Sequence, residues 1–203
     1  MKKYAVLHEP GDIVTLAGTR FVVLDVERRG SLPDSLFLLA LESVGASEFG
    51  SSNNYAESDL KKAVDKWLED MGKRGLDNAK LIPREIDLTT LDGSGCYGKL
   101  SVKAAPLTLD EAREYADIIP NAERWCWLAT GWSGPSKSDG DLALYVNSNG
   151  DWSNNYCSFS YGFRPALKIP SDLLLDSADK PDLSEVPTDT LLEEIRRRVV
   201  DKA

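Results

Sequence analysis

The sequence predicts an α+β domain built from small twisted antiparallel sheets and two helices. Residues 12–26 are rich in β-branched and aromatic side chains, residues 58–71 and 108–119 repeat apolar positions at helical spacing, and residues 142–169 return to strand chemistry. The domain is expected over 1–170, followed by an acidic, proline-containing linker at 171–187 and a short amphipathic helix within 188–203.

From the N-terminus, Ile13, Val14, Leu16, Phe21, Val22, Val23, Leu24 and Val26 alternate with polar positions and predict a hairpin about Gly18. Leu36–Leu41 reads as a third strand. Ser58-Asp59 opens the first helix, because Leu60, Val64, Trp67, Leu68 and Met71 fall on one face; Gly72 and Gly75 end it. Residues 81–105 read as loop and strand, with a turn at 92–98. Thr108 caps the second helix while Glu111 reaches back to it; Ala112, Tyr115, Ala116 and Ile119 would face inward, and Pro120 stops it. Leu142, Leu144 and Val146 alternate with Ala143, Tyr145 and Asn147 in one hairpin arm, and Asn149-Gly150 suits its tight turn. The other arm starts at Trp152 and runs into a buried closing strand at Tyr161–Ile169. Finally, Thr190 and Glu193 form a capping box before Leu191, Leu192, Ile195 and Val199. A helix so short wants a partner surface, so 188–200 is expected to dock in a homo-oligomer or a larger assembly.

With 203 residues and 42% hydrophobic content, the chain can bury the core of one domain. Its 24 Lys and Arg against 33 Asp and Glu leave a net charge of −9, which repels phosphate backbones and anionic membranes. Nucleic acid and membrane are therefore not expected partners. The opening residues reach His8, Glu9 and Pro10 before any apolar run long enough for a signal peptide, so a cytoplasmic or virion-associated location is expected. Cys96, Cys126 and Cys157 are widely spaced, which suggests buried or idle thiols rather than a disulfide framework or a zinc site. His8, the lone histidine, has no Ser or Cys motif beside it and is expected to be structural.

Several stretches together carry a family resemblance. They are "GDIVTLAGTRFVVLDV" at 11–26, "FLLALES" at 37–43, "NNYAESDLKKAVDKWL" at 53–68, "LTLDEAREY" at 107–115, "WCWLATG" at 125–131, "YVNSNGDW" at 145–152 and "YGFRPALKI" at 161–169. Over roughly 11–170 the chain resembles DUF6273, a group of bacterial and prophage domains that look like relatives of the C-type lectin fold. Similar Gly-Phe-Arg closures end formylglycine-generating enzymes and the variable receptor-binding proteins of diversity-generating retroelements. Where the family carries Arg-Ser-Pro after its tryptophan-leucine pair, this chain has Ala129-Thr130-Gly131. The resemblance implies a C-type-lectin-like fold and a phage or prophage origin.

The composition of 132–160 is that of a recognition surface. Trp132 and Trp152 sit among Gly, Ser and Asn, where a large ring has little scaffold to bury it. With Tyr145, Asn147, Asn149, Asn154, Asn155, Tyr156, Ser158 and Ser160 they form the expected ligand face of a non-enzymatic binding module. Its ligand would be a protein or a cell-surface glycan. Except for Trp152, every residue of 151–162 is reachable from an asparagine codon by changing adenines, the signature of retroelement diversification. Trp67, Trp125 and Trp127 are expected in the core, the last two on one strand face, and Phe163 and Arg164 are assigned structural roles. Arg164, inside an apolar strand, predicts a partly buried guanidinium held by carboxylate or carbonyl partners.

Other functions have weaker support in the residues. A copper-dependent thiol oxidase would use Cys157, but such enzymes pair it with a cysteine close in sequence, and Cys126 is far upstream. Calcium could draw on the oxygens of Asp139, Asp141, Asn147, Asn149, Asp151 and Asn154; their spacing matches no named loop, Glu-Pro-Asn is missing, and no cofactor is expected. The main alternative is a subunit of a larger, virion-like assembly that works through 188–200.

Overall fold

The computed structural model describes residues 2–4, 8–29 and 32–177. Its strands are β1 (Lys2–Tyr4), β2 (Ile13–Leu16), β3 (Thr19–Arg29), β4 (Leu32–Ala40), β5 (Ala46–Glu48), β6 (Arg84–Asp87), β7 (Lys99–Val102) and β8 (Ala104–Ala105). Beyond them come β9 (Cys126–Gly131), β10 (Leu142–Val146), β11 (Trp152–Tyr156), β12 (Ser160–Phe163), β13 (Ala166–Pro170) and β14 (Leu174–Ser177). Helix α1 spans Asp59–Lys73 and helix α2 spans Leu109–Glu114. The fold is therefore mixed α+β, with two helices among the described residues.

A seven-stranded antiparallel sheet runs in the order β1-β14-β2-β3-β4-β13-β8. A second, five-stranded sheet runs β11-β10-β9-β12-β5 and is antiparallel except where β12 lies parallel to β9. β6 and β7 form a separate ribbon. Leu16 pairs with Thr19, so Ala17 and Gly18 make a two-residue turn at φ 47° and 76°. Positive φ at both centres matches the right-handed twist of the arms, which is why the chain folds back at Gly18 as expected.

The central strands are buried on both faces, and side-chain alternation sorts them into two cores. Phe21, Val23, Leu36 and Leu38 pack with the α1 face, whereas Val22, Leu24, Phe37 and Leu39 pack with α2. The expected alternation of apolar with polar positions thus holds for β2 but not for Phe21–Leu24, where both faces are covered. Helix α1 begins where Ser58 accepts from the Lys61 amide and buries Leu60, Val64, Trp67 and Met71; Leu68 is half-buried. At about 2 kcal/mol for each fully buried side chain, that face outweighs any helix propensity.

Helix α2 has the expected capping box: Thr108 accepts from the Glu111 amide at 3.2 Å, and Glu111 accepts from the Thr108 amide at 2.8 Å. Glu111 also pairs with Arg84 of β6, whose guanidinium donates to the Ala105 carbonyl, so one carboxylate ties the ribbon to the helix. The helix stops at Glu114, earlier than Pro120 suggests. After it the chain winds in tighter turns, with the Ile118 amide donating to Tyr115, and Ala116, expected inside, is exposed.

Two expectations about the end of the domain are corrected. The closing strand is not continuous: Ser160–Phe163 belongs to the five-stranded sheet and Ala166–Pro170 to the seven-stranded one, with Arg164-Pro165 as the crossing. The expected linker is structured at its start. The Ser171 amide donates to Asp34, and Leu174–Ser177 fits between β1 and β2, whose free edges would otherwise leave main-chain groups unpaired. The rest of the linker and the helix at 188–203 lie outside the described residues. No helix among the described residues is long and apolar enough to cross a membrane.

Candidate functional site

The site is built on the outer end of the five-stranded sheet, where β11 is the edge strand. Asn53 sets that end. Buried at 1% exposure, it donates from Nδ2 to the carbonyls of Ser133 and Leu142 and accepts from the Tyr97 hydroxyl at 2.6 Å. Gly131 in β9 makes room for it, since a Cβ there would sit 2.8 Å from Asn53 Cγ. The loop before α1 is thereby locked to β9 and β10.

The β10–β11 turn is closed by Asn147, whose Oδ1 accepts from the amides of Asn149 and Asp151 while Nδ2 donates to Asp151 Oδ2 at 3.0 Å. Gly150 takes φ +89° there. Asn147 is thus half-buried, with its side-chain amide bonded within the turn. The same bonds draw on Asn147 and Asp151 from the proposed calcium set. Among the described residues, no three His, Cys, Asp or Glu side chains gather as a metal site.

The expected ligand face is divided by the pleat of the strand. Trp152 pairs with Val146 and Asn154 with Leu144, so Trp152, Asn154 and Tyr156 lie on one face of the sheet; Asn155, opposite Ala143, lies on the other. Of these, Trp152 and Tyr156 are exposed, as are Asn149, Ser158 and Ser160. Tyr145 is not on the surface at 7% exposure, and Trp132 is only half-exposed because it packs on the α2 core. Both departures have one cause, since β9 and β10 are covered on both faces.

An exposed aromatic ledge appears where a core residue was expected. Trp125, 43% exposed, stacks on Tyr145 at 5.1 Å with ring planes 11° apart. Tyr161 closes edge-on at 5.4 Å, and Phe159, 48% exposed, lies 6.2 Å from Tyr161. Asn155 Nδ2 donates to the Tyr161 hydroxyl, which sets an amide beside the rings. Trp127 meets the expectation, buried at 1% with its indole N–H on the Ser47 carbonyl. The signal that could have separated the two tryptophans is the charged pair Glu123-Arg124 just ahead of Trp125, which marks a chain still in solvent.

Comparison with protein families, with curated proteins and with solved structures finds no match. The site must be read from its own geometry.

The thiols divide by burial. Cys96 is exposed, while Cys126 and Cys157 are buried, and all three are free. Burial pushes the Cys126 thiol up to about 11 against the pull of Arg164, and burial, with Asp141 nearby, pushes Cys157 to about 12. Maleimide at about pH 8 should therefore label Cys96 alone in the folded chain and all three cysteines after denaturation. Below the ordinary thiol value of 9.0 the buried pair leaves stability independent of pH. Above it the unfolded chain loses those protons first, so stability falls as pH climbs toward 11 and 12, which a denaturant series across that range would measure.

Proposed function

We propose that the chain is a non-enzymatic binding module, C-type-lectin-like in build and phage or prophage encoded, that takes a protein or cell-surface glycan ligand on the Trp125, Asn155 and Phe159 ledge. The carrying observation is the Trp125 ring, held flat on Tyr145 at 5.1 Å yet 43% exposed. A ring fixed before the ligand arrives loses little entropy on binding, and it offers a plate for a sugar face or an apolar side chain. Exposed Ser153 supplies an adaptable hydrogen bond at its side, while the Asn155 amide, tied to the Tyr161 hydroxyl and the Tyr156 amide, holds the rings in place. Support for a non-catalytic role comes from the buried, protonated thiols of Cys126 and Cys157 and from His8, which is buried ahead of β2 in the other sheet with only the exposed Asp12 carboxylate, at 3.3 Å, beside it. A resident cofactor has no part in this reading.

The test is to screen the full chain against an array of bacterial surface glycans and against intact and protease-treated bacterial cells. Trp125→Ala and Phe159→Ala should each weaken the binding found by about 30-fold or more, as anchors at the centre of an interface do, while circular dichroism stays unchanged. Binding that survives both substitutions would sink the ledge. Loss only on deleting 178–203 would favour the assembly reading. DNA beside the gene with a reverse transcriptase and an adenine-variant copy of 151–162 would make the exposed β11 residues variable positions of the same face.

A further inference from the structure

β11 ends the five-stranded sheet, and its outer side has no strand partner among the described residues. The Asn147 amide donates to the Asp151 carbonyl at 2.9 Å and the Cys157 amide to the Asp141 carbonyl at 2.7 Å. By the two-residue period of an antiparallel ladder, the hydrogen-bonded pairs between them are Tyr145–Ser153 and Ala143–Asn155. Trp152, Asn154 and Tyr156 therefore turn their amides and carbonyls outward. Tyr156 is already engaged: its amide donates to Asn155 Oδ1 at 2.8 Å and its carbonyl accepts from the Phe159 amide at 3.0 Å. The main-chain groups of Trp152 and Asn154 have no partner among the described residues.

An open edge is a template for another strand, and the other edges of this protein are short or charged. β1 has three residues, two of them lysine; β5 has three and carries exposed Glu48; β8 has two; β6 and β7 carry Arg84, Glu85, Asp87 and Lys99. β11 has five residues and no charge, proline or glycine. Its strand-favouring aromatics, Trp152 and Tyr156, stand 42% and 55% exposed. On a chain of net charge −9, a neutral strand is the edge that a second copy approaches at least electrostatic cost.

We propose that β11 pairs antiparallel with β11 of a second copy, about a two-fold axis at Ser153. The open groups are placed symmetrically on either side of Ser153, so the strand is complementary to itself, as a two-fold interface requires. Trp152 exchanges amide and carbonyl with the partner's Asn154, and Asn154 with the partner's Trp152, which uses every open main-chain group of both residues. Ser153 lies opposite the partner's Ser153. The exposed Trp152 and Tyr156 surface of both copies is roughly 400 Å², well below what a permanent dimer buries, so the association is weak. The axis is perpendicular to the joined sheet, which puts both Trp125 ledges on one of its faces and lets a surface ligand be met twice. That last consequence rests on the ledge binding a ligand; the pairing does not, and either can fail without the other.

The test is sedimentation velocity on the full chain between about 5 and 500 µM, where the wild type should self-associate with a Kd of about 100 µM or tighter. Ser153→Lys and Ser153→Glu, at an exposed position, should each weaken association at least about tenfold, because each new charge faces its own copy. The lysine lowers the net charge of −9 in magnitude and the glutamate raises it, so a loss in both reflects the local pairing and not overall repulsion. An equimolar mixture of the two variants should associate at least as tightly as the wild type, which also shows that both are folded. A wild type that stays monomeric over the whole range, association indifferent to both substitutions, or a mixture that stays monomeric would each overturn the proposal.

Discussion

Replacing Arg164 with alanine should lower stability by about 3 kcal/mol and the melting temperature by roughly 10 °C. Arg164 stands where the chain leaves one sheet for the other, between β12 and β13, and its side chain binds two carbonyls from distant segments, Ala40 at the end of β4 and Pro120 after α2. Each charge-assisted bond is worth about 2 kcal/mol; relief of burying the cation offsets part of the sum. The two carbonyls left behind lose their donors, so an Arg164→Met change, which keeps only an apolar stem, should recover little. Thermal unfolding by circular dichroism measures this, and an unchanged melting temperature would show that the crossing does not depend on the guanidinium.

Trp127→Ala should cost about 3–5 kcal/mol, while Trp125→Ala, two positions away on the same face, should cost less than about 1 kcal/mol. Trp127 is 1% exposed, meets Phe49 edge-on at 5.7 Å and donates to the Ser47 carbonyl, so its loss opens a cavity and strips an acceptor on β5. Trp125 is 43% exposed and rests on rings that stay in place without it. Urea unfolding of both variants separates a core residue from a surface one. Equal losses would mean that Trp125 is a prop for Tyr145 and not an anchor for a ligand.

The elements that local chemistry dictates were readable in the chain. Ser58, with Leu60, Val64, Trp67 and Met71 on one face, defines α1; Thr108 and Glu111 start α2; Asn149-Gly150 allows the β10–β11 turn. Each depends on spacing or on a backbone angle within a few residues, and sequence records both. The guanidinium of Arg164 was legible for the same reason, as a charge inside an apolar run that must find acceptors.

Depth within the sheets was not legible. Trp125 and Trp127 have the same parity, and beyond the charged pair ahead of Trp125 nothing local separates them; the packing of β9 between two cores buries Trp127, while Trp125, just ahead of the strand, stays in solvent. Tyr145 is buried by the same effect, and β11 puts the residues of the polar run at 151–160 on alternate faces, which composition does not record. Burial depends on what crosses over a strand from far along the chain, and the partners here are remote: Ser47 for Trp127, Ser133 and Leu142 for Asn53. Sequence alone determined which segments coil, extend and turn, because those preferences are local. Only the tertiary structure decided which aromatic rings face solvent and that a buried cation lines a cavity, because exposure and charge pairing are sums over contacts that no short window of sequence contains.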